Sequence, residues 1–199
     1  AMGYHAGFAV TTGVQNILIG GEAGDALTDA DFNVGMGTSA LGSDTKGSRN
    51  VAIGHSSLAT QNFTSGTNSY NTAVGFHTGL SITTGIRNTL IGGEAGDALQ
   101  DADDNVAIGA LALSGDTLGS QSVAIGRGAL KVQNFTSATD SLNTAVGYSA
   151  GESVSTGVQN TLIGALAGDA LTDADFNIAI GADALASDTL GNRSIAVSY

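Results

Sequence analysis

The stretch Asn71-Thr72-Ala73-Val74-Gly75, an Asn followed by Thr, two apolar residues and a Gly, decides the fold because it recurs along the whole chain. From Asn16 onward, successive copies begin 17, 17, 21 and 17 positions apart, and this series of spacings then starts again. A period this short predicts a β-solenoid, in which each coil contributes short strands joined by tight corners. The other complete copies begin at Asn16, Asn33, Asn50, Asn88, Asn105, Ser122, Asn143, Asn160, Asn177 and Ser194.

The repeat organises residues 1–199 as a single all-β domain, because no linker or change of composition interrupts it. Four coils form one super-repeat, so the chain divides into 16–87, 88–159 and a partial copy at 160–199, preceded by a truncated coil at 1–15. The chain has 30 Gly and no Pro. Every backbone N–H can therefore enter a hydrogen-bond ladder, while Gly supplies corners. We also expect the Asn residues to stack as a ladder, with left-handed backbone at these corners.

Within each motif, the residues at the third and fourth positions are expected to face opposite sides of the strand. The fourth position is always large and apolar, as in Val74 and Ile108, so we predict that it points into the core of the coil. The third position is mostly Ala or Leu and never polar, as in Ala73 and Leu90. A strand that is apolar on both faces needs a cover on its second face. We therefore predict a parallel homo-oligomer packed through the third-position row.

Two stretches carry a resemblance to known fibres. Ser122-Val123-Ala124-Ile125-Gly126 resembles the repeat of YadA-like trimeric autotransporter adhesin heads, and Asn143-Thr144-Ala145-Val146-Gly147 resembles related repeats of bacteriophage tail fibres. The resemblance implies a left-handed parallel β-roll, assembly as a parallel homotrimer, and an extracellular location on a virion fibre or a bacterial cell surface. The 17-residue and 21-residue coils are longer than those typical of the adhesin heads, and we expect the additional length in the corners.

Composition argues against several kinds of partner. Six Lys and Arg residues against 18 Asp and Glu give a formal charge of −12, the wrong sign for neutralising nucleic-acid phosphates. No apolar run approaches the roughly 18 residues of a membrane span, so membrane insertion is not expected. The absence of Cys excludes disulfides and thiolate chemistry. No pairing of His with a carboxylate or Ser recurs with the repeat, so we do not expect an enzyme.

An acidic turn recurs once in each super-repeat and is the candidate metal site. Carboxylates at such spacing are hard oxygen ligands of the kind Ca²⁺ prefers, and Ca²⁺ is the one cofactor that the sequence leaves open. The alternative is a solvated acidic corner that keeps the rod soluble. The residues concerned are Asp25, Asp29, Asp31, Asp97, Asp101, Asp103, Asp169, Asp173 and Asp175.

The 21-residue coils share the insertion Gln-Asn-Phe-Thr-Ser, which contains Phe63 in one super-repeat and Phe135 in the next. A corner that is longer than its neighbours protrudes, and protruding loops on rigid scaffolds often carry recognition. Phe63 and Phe135 are therefore candidate contacts for a glycan or a host cell-surface protein. The alternative is that each ring folds back to fill the gap beneath the longer corner.

Three functions follow from these features. The first is a structural shaft or head segment of a trimeric fibre, either a phage tail fibre or a surface adhesin. The second is a receptor- or glycan-binding module that uses the corner loops. The third is an ice-binding solenoid, which usually needs a regular Thr array. Here Thr72, Thr89, Thr144 and Thr161 are interrupted by Val and Ile, so this third function is the weakest.

Overall fold

The structure, a computed structural model that describes residues 1–198, is a parallel β-solenoid of about eleven coils, as the repeat predicts. No helix is present in this range. Eleven three-residue strands, one from each motif, form a single sheet along the rod. They are β1 (Ile17–Ile19), β2 (Val34–Met36), β4 (Val51–Ile53), β6 (Thr72–Val74), β7 (Thr89–Ile91), β8 (Val106–Ile108), β10 (Val123–Ile125), β12 (Thr144–Val146), β13 (Thr161–Ile163), β14 (Ile178–Ile180) and β15 (Ile195–Val197).

Two further pairs of two-residue strands lie beside the longer coils. β3 (Gly47–Ser48) pairs with β5 (Thr67–Asn68), and β9 (Gly119–Ser120) pairs with β11 (Thr139–Asp140), both in parallel. Each pair joins a 17-residue coil to the 21-residue coil that follows it. The additional residues of the longer coil therefore lie at a corner, as expected, and are tied down by this local ladder.

Equivalent motif positions stack directly on one another. Ala73 pairs with Leu90, and Leu90 pairs with Ala107, so third positions form one continuous row. All pairings within the main sheet are parallel, as consecutive coils of a solenoid require. Because equivalent positions are in register, the residues at one motif position form a continuous row along one face of the rod. The polarity and size of these residues therefore set the character of that face.

The direction in which each row points is the opposite of the sequence prediction. The third position lies inside the coil: Ala73, Leu90 and Ala107 are fully buried. The fourth position points outward, where Ile91 is 39% exposed and Ile108 is half-buried. The physical reason is volume, because the slender coil has room on this side for Ala, or for Leu where a Gly nearby makes space, whereas the β-branched residues of the fourth position lie outside. The predicted subunit row is therefore the core, and the predicted core row faces outward.

Where the third position is Leu, the coil compensates elsewhere. Leu90 is accompanied by Gly96, at which an added Cβ would lie 2.9 Å from a Leu90 methyl carbon. In the next coil the third position is Ala107, and Leu113 occupies the place of the Gly, fully buried. The same pairing joins Leu18 to Gly24 and Leu162 to Gly168. The two inward positions therefore exchange volume between these coils. In the coils where both are small, as at Gly79 and Gly151, Leu side chains of the adjacent coils fill the space.

The motif Asn residues form the predicted ladder inside the rod. The Oδ1 of Asn88 accepts a hydrogen bond of 3.0 Å from the backbone N–H of Asn105 in the next coil. Its Nδ2 donates a 2.7 Å bond to the carbonyl of Ala102 within its own coil. Most of these Asn residues satisfy buried backbone groups of two coils, which cost free energy when left unpaired, whereas Asn50 and Asn177 bond only to the next coil and leave Nδ2 without a partner. The left-handed corner residue is the one before the Asn, as at Arg87 with φ 58°, rather than the Asn predicted.

The Gly that ends ten of the eleven motifs is required by the next coil. Gly75 has φ of 142°, and a Cβ at this position would lie 2.6 Å from the carbonyl oxygen of Gly92. Both the backbone conformation and the contact exclude a side chain. The row of Gly residues therefore allows consecutive coils to stack closely at this corner.

Candidate functional site

The outward side of the main sheet is an uncharged and largely apolar surface, which we call the apolar face. It consists of the second and fourth positions of all eleven motifs within residues 1–198, because these positions share one side of a strand. Four of these positions are Thr, all the others are apolar, and none is charged. The members are Ile17, Ile19, Val34, Met36, Val51, Ile53, Thr72, Val74, Thr89, Ile91, Val106, Ile108, Val123, Ile125, Thr144, Val146, Thr161, Ile163, Ile178, Ile180, Ile195 and Val197.

Two rows of side chains border the apolar face. The leading edge is the residue before each motif, and the trailing edge is the residue after each motif Gly. The leading edge comprises Gln15, Phe32, Arg49, Tyr70, Arg87, Asp104, Gln121, Leu142, Gln159, Phe176 and Arg193. The trailing edge comprises Gly21, Thr38, His55, Phe76, Gly93, Ala110, Arg127, Tyr148, Ala165 and Ala182. Charged residues thus begin only at the borders of the face.

Aromatic rings on both edges are held by cationic or imidazole neighbours. On the leading edge, the Arg49 guanidinium carbon lies 5.0 Å from the centre of the Phe32 ring and 5.8 Å from that of Tyr70. On the trailing edge, the Phe76 ring stacks on His77, with centroids 3.7 Å apart, and on His55. Cation–π and stacking contacts of this kind favour one ring orientation. These rings are fixed in place while about half of their surface stays exposed.

Six of the nine carboxylates in the acidic turns accept hydrogen bonds from the chain itself. Asp103 Oδ1 accepts a 2.8 Å hydrogen bond from the backbone N–H of Ile86 in the preceding coil. Asp31 and Asp175 make the same bond to Val14 and Val158, also at 2.8 Å. These carboxylates therefore join adjacent coils at the corner. The second Asp of each turn accepts a hydroxyl hydrogen bond, in Asp29 from Thr28, in Asp101 from Thr84 and in Asp173 from Thr172.

The structure does not gather the acidic residues into a ligand set. Throughout residues 1–198, no group of three or more His, Cys, Asp or Glu side chains is placed to hold a metal ion. The first Asp of the turn behaves differently from the others: Asp97 and Asp169 each have one buried carboxyl oxygen, Oδ1, without a hydrogen-bond partner. Burial raises the pKa of both side chains above the ordinary value, and Glu94 and Asp183 respectively raise it further.

Replacing Asp97 with Asn is expected to stabilise the protein slightly at pH 7. A raised native pKa means that the folded chain binds the proton more tightly than the unfolded chain, so this carboxyl contributes stability at low pH that is lost as pH rises through its native pKa. A neutral amide avoids that loss. We expect the melting temperature to rise by about 1 to 2 °C at pH 7, because the group is partly screened by solvent, and the gain to vanish near pH 4.

Thermal unfolding followed by circular dichroism at both pH values measures this effect. The matched control is Asp25→Asn in the first super-repeat, where neither carboxyl oxygen is both buried and unpaired. A loss of stability in Asp97→Asn at pH 7 would mean that the negative charge itself is needed at this corner.

The two candidate ligand residues, Phe63 and Phe135, lie inside the long corners. Their exposed fractions are 7% and 6%, so neither ring presents a face to a ligand at the surface. The backbone N–H of Phe63 donates a 3.2 Å hydrogen bond to Asp44 Oδ1, and that of Phe135 donates an equal bond to Asp116. Both rings fold back into the space beneath the longer corner, which is the arrangement that the alternative interpretation describes.

Beneath each Phe lies a buried polar chain that sequence reasoning missed. Gln61 Nε2 donates to Asp44 Oδ2 at 2.6 Å, and Gln61 Oε1 accepts from Asn71 Nδ2 at 2.8 Å. Asp116, Gln133 and Asn143 repeat the same contacts. Burial raises the pKa of Asp44, although the Gln61 amide opposes this. The signal in the sequence was the recurrence of an Asp and a Gln at the core position that holds Leu, Ile or Val in neighbouring coils, as in Ile82, Leu99 and Val154.

Neither this chain nor its repeats can be assigned by similarity: no protein-family model matches, and no match is found among curated proteins or solved structures. No helix within residues 1–198 is long and apolar enough to cross a membrane. The class of protein is therefore defined by its own geometry. It is a parallel β-solenoid with a 17-residue repeat, carrying one uncharged apolar face along its length.

Proposed function

We propose that this chain is a shaft or head segment of a trimeric extracellular fibre, in which three copies pack through their apolar faces. The observation that carries the proposal is the apolar face itself, which has no charge although the chain has six basic and 18 acidic residues. Because burial of apolar surface drives association, a rod with one such face is stabilised by covering it with another copy of itself.

The size of the apolar face supports a stable interface. Eleven strands at about 4.8 Å spacing give the apolar face a length of roughly 50 Å, and its two edges, six residues apart, are separated by at most about 20 Å. The apolar face together with its two edges therefore covers at most on the order of 1,000 Å², which is comparable with the roughly 800 Å² that each partner buries in a standard complex.

Charge also favours self-association through this face. Each chain carries a formal charge of −12, so copies repel one another except where charges are kept apart. The acidic turns lie at corners outside the apolar face, and the ion pair between Arg87 and Asp104 neutralises part of the leading edge. Contact through the uncharged face is the arrangement that brings the fewest like charges together.

The number of copies, the left-handed coil and the location rest on the resemblance to YadA-like heads and phage tail fibres. In this proposal the trimer is parallel, stands on a virion fibre or a bacterial cell surface, and acts as a rigid spacer about 50 Å long for the segment that contacts a receptor. A receptor- or glycan-binding role for this segment itself is less well supported, because Phe63 and Phe135 are buried.

The mass of the protein in solution tests the proposal. Light scattering should give three times the chain mass of 19.6 kDa. The measurement is repeated with a chelator: a trimer that dissociates on chelation would show that an ion joins the copies. A monomer in dilute buffer would overturn the fibre proposal, because the apolar face would then be stable in water.

A further inference from the structure

We propose that the leading edge of each copy packs against the trailing edge of its neighbour at the same height, so that Tyr70 contacts the partner's Phe76 and Leu142 contacts the partner's Tyr148. This inference rests on the proposed trimer and names the contacts that close it. In addition to burial of the apolar face, the trimer would then have one large apolar contact between edges in each of two successive super-repeats.

Symmetry determines which edges meet. Three rods related by rotation about an axis parallel to their length keep every strand at the height of its equivalents. Each copy then presents one border of its apolar face to one neighbour and the opposite border to the other, which is a heterologous contact. Residues that flank the same strand, such as Tyr70 and Phe76 on either side of β6, are therefore brought together between copies.

The four residues are placed for this contact in each chain. Tyr70 and Phe76 are both 52% exposed, and Leu142 and Tyr148 on either side of β12 are 46% and 53% exposed. Tyr148 lies beside the Arg127 guanidinium, 5.9 Å from its ring centre, just as Tyr70 lies beside Arg49. Large apolar side chains held in a fixed orientation lose little entropy on binding. Their remaining surface is the natural contact for a neighbouring ring.

The position of these pairs along the rod also fixes the register. A shift by one coil would place Tyr70 opposite Gly93 or His55 instead of Phe76, and Leu142 opposite Ala165 or Arg127 instead of Tyr148. Since most of the trailing edge is Gly, Ala or Thr, large apolar residues meet on both pairs only when the copies are level. The apolar face alone repeats at every coil and does not distinguish these registers.

Chemical cross-linking tests the contact. The chain has no Cys, so Tyr70→Cys with Phe76→Cys introduces the only thiols. Within one chain the two thiols lie on either side of β6, and a link formed inside one chain leaves the mass of a single chain, so it is not mistaken for a link between copies. Treatment of the folded variant should give covalent trimers on a denaturing gel, because each copy links to both neighbours. The Leu142–Tyr148 pair remains intact in this variant.

The controls distinguish the proposed edge contact from trimer formation itself. Tyr70→Cys alone and Phe76→Cys alone should give no linked chains, and Tyr70→Cys with Tyr148→Cys should give none unless the copies slip by a whole super-repeat. Light scattering on each variant reports assembly independently. A trimer that shows no cross-links in Tyr70→Cys with Phe76→Cys would overturn the proposed contact and leave the fibre proposal standing. Cross-links between positions 70 and 148 would have the same meaning. A monomer of otherwise unchanged protein overturns both.

Discussion

Replacing Ala107 with Asp is expected to unfold the solenoid. Ala107 is fully buried between Leu90 and Ala124 of the adjacent coils, so the new carboxylate has neither room nor a partner. An unpaired buried charge combined with overpacking costs about 4 kcal/mol or more. In a chain of this length that corresponds to a fall of roughly 10 °C or more in melting temperature, if the variant folds at all.

Circular dichroism on heating measures this change, and limited proteolysis shows whether the damage spreads beyond the altered coil. Since each coil of a repeat protein contacts only its neighbours, cleavage should begin in the coils around β8. Ala107→Ser is the matched control, because a hydroxyl adds little volume and no charge. A melting curve for Ala107→Asp that equals that of the unchanged protein would contradict the inward position of the third residue.

The adjacent substitution, Ile108→Asp, is expected to have a different result: the coil stays folded and the proposed trimer dissociates. Ile108 lies on the apolar face and is half-buried in the single chain. A charge there is hydrated in the monomer, whereas three-fold assembly would bring three carboxylates together inside a dry interface. We expect the mass in solution to fall from that of three chains to that of one. The dissociated chain should keep the circular dichroism spectrum of a β-sheet protein.

Ser65→Asp is the control for Ile108→Asp, since it adds the same charge at an exposed corner away from the apolar face. That variant should remain a trimer. If Ile108→Asp also remained a trimer, the apolar face could not be the interface. The two substitutions at neighbouring residues therefore distinguish a core position from an assembly position.

Sequence reasoning placed the strands correctly and reversed their faces. The motif is apolar at the third and fourth positions and mostly apolar at the second, so alternation between polar and apolar residues, the usual guide to the inner face, gives no direction here. Residue size was the better guide. Ala73 and Ala107 fit inside a narrow coil, and the exchange of volume between Leu90 and Gly96 in one coil and Ala107 and Leu113 in the next is visible in the repeat itself.

The candidate site was harder to predict from the sequence than the fold was. The acidic turns suggested ligands because Asp31, Asp103 and Asp175 recur, but a recurring carboxylate is equally suited to accept a backbone hydrogen bond from the preceding coil. Phe63 suggested a surface contact because it lies in an insertion. Its burial depends on Asp44, which lies in the preceding coil and accepts a hydrogen bond from its backbone N–H. Contacts of this kind form between adjacent coils, so the sequence of one coil does not specify them.

The sequence by itself determined the period, the coil boundaries and the Asn ladder, because each of these follows from residues that recur at fixed spacing. The tertiary structure decided which side of the strand is the core, how the insertion packs and which polar groups are paired inside the rod. Those outcomes depend on the volume enclosed by each coil and on groups brought together from adjacent coils, and the spacing of residues along one chain specifies neither.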